Sequence, residues 1–364
     1  MARVVREARL AGLVSCQVSG GADWQPSAST REEASRLGGS MPVLFAPFIA
    51  TDYALHPRVA VIRGDALPGA QAIADAVAGH NEPFDGIEIA SGHGIEEAVD
   101  RAVAAGRYAA VRLQAAGRSI LRSTAKPTDG IVSRHINRPV SQAISAVMLR
   151  IPGFRPVHAT IGTALIALAM FACLLLGGEW GLVAGALLFQ AASIFDGVDG
   201  EVSRATWRTS LEGARMDSLI DAATNLAFLG GVALNLQMQG RIFAASLGYT
   251  GLALLAIGLL LIGRAAARSN APFSFDLVKE HYRAKGAAKS RSSGNDGAND
   301  AQSPQIVQSQ IMQWLTFMTS RDFFALVFAL LIALGLAAQV LALFAIAAAG
   351  WLVAVILALV PKQA

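Results

Sequence analysis

The sequence predicts an α-helical integral membrane domain of six transmembrane helices, preceded by a small α/β domain on the cytoplasmic side. Three observations predict it. Hydrophobic residues make up 54% of the 364-residue chain and charged residues 15%, too apolar a balance for an ordinary soluble protein. Nearly all long apolar runs follow Thr160, whereas residues 1–150 hold most of the charge. In that front half the apolar runs are short and alternate with stretches of helical period, which suits a layer of strands and helices.

In the front half, "RVAVIRGD" (58–65), "FDGIEIA" (84–90) and "YAAVRL" (108–113) read as short buried strands. Helical periodicity fills 69–79 and 94–106 between them, so a largely parallel sheet is expected. The first 40 residues give no firm pattern. The opening "MARVVREARLAGLVSCQVSGG" is too interrupted for a signal peptide, so an uncleaved cytoplasmic N-terminus is expected. Two cysteines, Cys16 and Cys173, supply neither a disulfide framework nor a cysteine metal site.

From Thr160 onward, windows of roughly 20 apolar residues recur, the length that crosses a hydrocarbon core about 30 Å thick. Spans are expected near 158–177, 180–202, 213–235, 241–263, 321–338 and 341–360. Lysine and arginine fall before the first, between the second and third, after the fourth and after the sixth. The alternate connections, "GGEW", "NLQMQG" and "AAQ", lack them apart from Arg241. Both termini are therefore expected in the cytoplasm, at the inner membrane if the cell is bacterial. Residues 286–304, "AKSRSSGNDGANDAQSP" and its surroundings, cannot bury a core and are expected to be disordered. The organisation that results is a front domain over 1–125, a linker with an interfacial helix over 126–155 and a membrane domain over 156–364. The interfacial helix is read from Ile136, Val140, Ile144, Val147 and Met148 at helical spacing between arginines.

Between the second and third spans lies "DGVDGEVSRATWRTSLEGARMDSLID", residues 196–221. Asp196 and Asp199 are three apart and Asp217 and Asp221 four apart, so each pair occupies one helix face. Antiparallel spans joined by a short connection can set the two pairs opposite each other. An unpaired carboxylate at membrane depth costs about 2.5 to 3.5 kcal/mol even on the lenient insertion scale. A divalent cation relieves that cost, and an all-oxygen donor set suits Mg2+ or Mn2+. Gly200 and Gly213 leave room for a phosphate or a flat base beside the backbone, and Arg204 offers a planar donor for phosphate oxygens. Arg204 is equally a positive-inside marker, and glycines are common in membrane helices.

The stretch resembles the signature D-x2-D-G-x2-A-R-x8-9-G-x3-D-x3-D of the CDP-alcohol phosphotransferases. Asp196, Asp199, Gly200, Arg204, Gly213, Asp217 and Asp221 match it, and Ser203 stands where the signature has alanine. The resemblance covers roughly residues 126–360. It implies transfer of a substituted phosphate from a CDP-linked donor to an alcohol, releasing CMP, in phospholipid or polyol-phosphodiester synthesis. It implies two ions held by Asp196, Asp199, Asp217 and Asp221, with Asp221 also the base that takes the acceptor's proton. Gly200, Ser203, Arg204 and Gly213 would surround the CDP. The implied partners are the donor, the acceptor, membrane lipids and a second copy of the chain in a homodimer, with no nucleic acid.

"KPTDGIVSRHINRPVS" (126–141) resembles the junction in proteins that fuse a cytidylyltransferase to such a membrane domain. Lys126, Arg134, Asn137, Arg138 and, at the start of the fifth span, Arg321 are candidate acceptor or rim contacts; the basic ones serve equally as anchors to lipid headgroups. Arg321 and Asp322 also read as an interfacial pair. His158 departs from the asparagine that relatives carry there, just ahead of Thr160. No glycine-rich loop with a basic residue suited to a triphosphate occurs in the front domain, which therefore reads as a degenerate nucleotidyltransferase-like unit. Two other readings are a bifunctional enzyme whose front domain makes the CDP-alcohol, and a cation transporter. A transporter predicts aspartates on broken helices at mid-membrane, whereas these stand toward the helix ends.

Overall fold

The computed structural model describes residues 1–20, 25–49, 58–80, 84–92, 94–106, 109–126, 129–269 and 321–359. The expected disordered loop at 286–304 lies outside the described residues. The chain divides into two compact units, one of Met1–Thr124 with Ala146–Phe154 and the other of Ala125–Ser145 with Arg155–Ala364.

The first unit is α/β. Its elements are α1 (Ala2–Leu10), β1 (Cys16–Val18), α2 (Ala28–Gly38), β2 (Val43–Phe45), β3 (Val59–Ile62), α3 (Ala70–Ala78), β4 (Ile87–Ala90), α4 (Gly94–Ala105) and α5 (Ala109–Ser123). Ser27 starts α2 by accepting the Thr30 amide on its hydroxyl at 3.2 Å, satisfying one donor of the first turn. Val5 and Ala8 from α1, Val18, Ala34, Ile73 and Ile87 close one apolar core.

Two expectations for this unit are corrected. The sheet is not largely parallel: β1 pairs with β2 in parallel, but β3 pairs with β4 antiparallel, Ile62 opposite Ile87. Beside this ladder Gly86 takes φ +93°, which suits glycine at low cost, and its carbonyl accepts the Arg63 amide at 2.9 Å, extending the pairing past Ile62 and Ile87. Of the strand expected over 108–113, residues 109–113 are the start of α5 instead, and 108 lies outside the described residues. Six alternating residues were too few to separate the two periods. Alanine, arginine, leucine and glutamine favour a helix, and Val111 is 71% exposed, which a buried strand would not allow. Arg112 on that helix bonds to Asp65 and to the Ala105 carbonyl.

The second unit is helical. A π-helical turn, Ser133–Asn137, runs into α6 (Arg138–Met148), followed by α7 (Pro156–Leu176), α8 (Gly178–Thr206), α9 (Leu211–Met238) and α10 (Ile242–Ser269). After the undescribed stretch come α11 (Arg321–Ala333) and α12 (Ala337–Leu359). Five of these helices, α7 to α10 and α12, are long and apolar enough to cross a membrane. The fifth expected span, 321–338, corresponds to α11, of which 13 residues are described, ending at Ala333. The turn after it falls at Gly335, φ +77°, and not at "AAQ"; the Gly335 amide bonds to Ile332 and the Leu336 amide to Leu331, a glycine-terminated helix end.

Packing in this unit runs through rings and small residues. Phe189 of α8 and Phe228 of α9 stack at 3.9 Å, at the centre of a core that includes Met170, Leu174, Leu236 and Leu341. Asn235, fully buried, donates to the carbonyls of Leu174 at 2.6 Å and Gly178 at 3.0 Å, satisfying groups where α7 ends and α8 begins. At 29 residues α8 is about 43 Å long, so its last turns outrun the hydrocarbon core. The C-terminal half of α8 carries Asp196 and Asp199.

Candidate active site

The site lies where α8 ends and α9 begins. Their link is four residues, Trp207 to Ser210, and it is closely held. Trp207 takes φ +50°, the Arg208 amide bonds to the Ser203 carbonyl at 3.0 Å, and the Ser203 hydroxyl donates to the Arg208 carbonyl at 3.2 Å. Ser210 then caps α9, its hydroxyl accepting the Gly213 amide at 3.0 Å. The two helices leave this link side by side, so residues equidistant from it face one another.

Asp196, Asp217 and Asp221 meet there. One carboxylate oxygen from each lies within 4.8 Å of the others, and all three side chains are half-buried. Asp199 stands beside them, close enough to feel the charges of Asp196 and Asp217. Its Oδ2 accepts the Thr160 hydroxyl of α7 at 2.9 Å. Asp217 experiences the charges of Asp196, Asp199 and Asp221 together. Like charges so close repel strongly in a half-buried setting, and a hard divalent cation is the ligand that such a set of oxygens fits.

Around the carboxylates, the Arg204 guanidinium folds over Gly200: a Cβ on Gly200 would stand 2.9 Å from Nη1. Gly213 is exposed, and a Cβ there would meet only the Ser210 hydroxyl at 2.9 Å. Of the expected rim residues, Lys126 and Arg134 are exposed. Asn137 is instead buried, 4% exposed, donating to Asp322 Oδ1 at 2.9 Å and accepting from Gln190 at 2.9 Å. Arg138 is also spent within the fold, on Asp129 and Glu201. The Arg321 side chain lies outside the described residues. Asp322, expected beside Arg321 as an interfacial pair, accepts from Asn137 and from the Ser193 hydroxyl, each at 2.9 Å.

Sequence reasoning passed over two residues. Thr160 marks the start of the apolar half in the sequence and carries no site role there; its neighbour His158 caps α7 by accepting the Arg155 amide at 3.1 Å. A hydroxyl in the first turn of a span, at the depth of the aspartates, was the available signal. Glu201 received no role, although a carboxylate next to Gly200 is unusual company in a membrane helix. It is fully buried, and it accepts from Arg138 Nη1 at 3.0 Å and from the Ser141 and Ser145 hydroxyls at 2.6 Å each. Asp129 braces Arg138 from the other side, at 2.8 and 3.1 Å. Burial opposes the charge of Asp129, but the Arg138 guanidinium and the Lys126 amide more than offset it and hold the carboxyl below the usual aspartate range.

Residues 156–284 match the family model described as CDP-alcohol phosphatidyltransferase. Among curated proteins, the chain is 38% identical over 124 residues to the "Bifunctional IPC transferase and DIPP synthase" of Aquifex aeolicus, covering 33% of this chain and 28% of that one. The proteins of the same name from Thermococcus kodakarensis and Rubrobacter xylanophilus are 35% identical over 118 residues and 37% over 149. Those matches cover 32% and 41% of this chain and 26% and 32% of the relatives. The chain thus spans about a third or less of the curated relatives it matches.

Proposed function

We propose that the CDP-alcohol phosphatidyltransferase domain over residues 156–284 moves a substituted phosphate from a CDP-linked donor to an alcohol, with CMP as the second product. The observation that carries this reading is the convergence of Asp196, Asp217 and Asp221 within 4.8 Å, with Asp199 alongside. In this reading Asp196, Asp199, Asp217 and Asp221 would hold two divalent ions, Mg2+ or Mn2+. When bound, the ions neutralise the diphosphate and the charge that grows on departing CMP.

The remaining steps belong to the chain's own residues. Arg204 retains phosphate oxygens as a planar donor, and Gly200 and Gly213 leave the backbone open to the cytidine and its phosphates. Ser203 fixes the α8–α9 link beside them. Asp221 accepts the acceptor's hydroxyl proton as its oxygen attacks the donor phosphorus; the new P–O bond forms as the bond to CMP breaks, and CMP leaves with the bridging oxygen. Lys126 and Arg134, exposed at the interfacial segment, suit an anionic acceptor. The lysine and arginine pattern of the connections supports a site on the cytoplasmic side.

The relatives are named bifunctional, which favours a second reading in which the front unit makes the CDP-alcohol. Its missing triphosphate loop argues against that. The full chain in membranes, given CDP-diacylglycerol and labelled polyol acceptors, tests the main reading by CMP release. Excess chelator is expected to stop it, and added Mg2+ or Mn2+ to restore it; release that persists in chelator refutes the ion-dependent mechanism. The same chain carrying Asp196→Asn, given CTP and phosphate esters, separates the second reading: diphosphate formation would establish it.

A further inference from the structure

The motif explains the aspartates on α8 but not the glutamate among them. Among the described residues Glu201 is a fully buried acid outside the carboxylate cluster, and a buried charge survives only where donors replace water. Three donors do so, and all come from one face of α6: Arg138, Ser141 and Ser145, spaced three and four apart. The amphipathic helix thus turns its small polar side inward, with Ser141 1% and Ser145 0% exposed, while Val140 is 45% and Val147 53% exposed. An apolar outer face is what a helix lying against lipid requires. The approach is close enough to need Gly197, where a Cβ would stand 3.2 Å from the Ser141 hydroxyl.

At about 100° per residue, Asp196 and Asp199 occupy one face of α8 and Gly197 and Glu201 the next, with Arg204 projecting from the strip between them. A Cβ on Gly197 would stand 3.5 Å from Arg138 Nη1 and one on Gly200 2.9 Å from Arg204 Nη1, so the two guanidiniums lie over neighbouring positions of α8. Removing the Glu201 carboxylate would strand the Ser141 and Ser145 hydroxyls and one arm of Arg138, loosening the guanidinium next to Arg204 on α8. We propose that Glu201 is a positioning residue: it clamps the 138–145 segment onto α8 and thereby holds Arg204 beside the carboxylates, setting the affinity for the CDP moiety. This inference rests on the donor reading given above.

The test uses the intact chain in detergent, with CDP and Mg2+ as the probe and backbone amide exchange as a second readout. In Glu201→Ala, exchange over 138–145 should quicken and CDP should bind about tenfold more weakly, the scale seen when groups one layer out from a site are removed. The Mg2+ concentration at half-saturation should stay unchanged, because the aspartates are intact. Glu201→Gln, which can keep the bonds but not the charge, should keep exchange slow and lose less affinity. Arg138→Gln should match Glu201→Ala, and the double variant should be no worse than either, since the two act as one unit. CDP affinity within about twofold of the parent in Glu201→Ala, or additive losses in the double variant, would overturn the positioning role. A parent chain that fails to bind CDP would remove the donor reading and with it the claim on Arg204, while unchanged exchange in Glu201→Ala would refute the clamp itself.

Discussion

Thr160 and Asp199 are joined across α7 and α8 by a 2.9 Å hydrogen bond from hydroxyl to Oδ2. The same hydroxyl reaches back to the Pro156 carbonyl at 3.2 Å, so its position is set by the first turn of its own helix. One oxygen of Asp199 is thereby aimed, and the other is left to the site. Thr160→Val keeps the shape and removes the bond. Activity should fall about tenfold or more, with a higher Mg2+ requirement, as for other groups that orient a ligand from behind. A Mg2+ titration of CMP release checks it; an unchanged requirement would show that Asp199 needs no such support.

Asp221 is grouped with Asp196 and Asp217 but stands one turn further along α9. Asp221→Asn should abolish transfer while CDP still stabilises the protein against heat, because the base is lost and most oxygen ligands remain. Measuring CMP release and the CDP-induced Tm shift on one preparation decides it. Near-parental turnover rejects the base.

Gly258 faces the Trp351 ring, and a Cβ there would stand 2.1 Å from Cζ3. The ring is rigid and packed between α10 and α12, so Gly258→Ala should cost about 1 to 3 kcal/mol through overpacking. A lower Tm in detergent is the expected result, with the KM for donor little changed.

Asp65 is held by Arg112 and, at 3.3 Å, by Arg63. Burial works against its charge, but the Arg112 bond and the two guanidinium charges prevail and hold its carboxyl below the usual aspartate range. A folded pKa below the unfolded one gives stability that is present above pH about 4 and lost as pH falls through the folded value. Asp65→Asn should therefore lower Tm near neutrality, and the gap to the parent should close in acid. A gap that does not change with pH would mean that shape and not charge is at stake.

The four aspartates, their faces and the long spans were legible because helical period converts spacing along the chain directly into position on a surface. The front strands at 59–62 and 87–90 were legible for the same reason, their apolar runs being bounded and short. Residues 108–113 were not, since a few residues of mixed period fit either element, and Arg112 settles the matter by reaching Asp65, 47 positions away. The break at Gly335 was hidden inside one continuous apolar run, where only the backbone angle distinguishes a turn from a helix.

What the sequence determined by itself is therefore the membrane character of the second half and a set of acidic residues at the spacing of two facing helices. Tertiary structure alone decided which polar residues turn inward. Asn137 and Arg138 look like surface groups in the sequence but are drawn in by Asp322 and Glu201, more than 60 residues distant. A buried charge must find its donors wherever the fold brings them, and the order of residues along a chain does not record that distance.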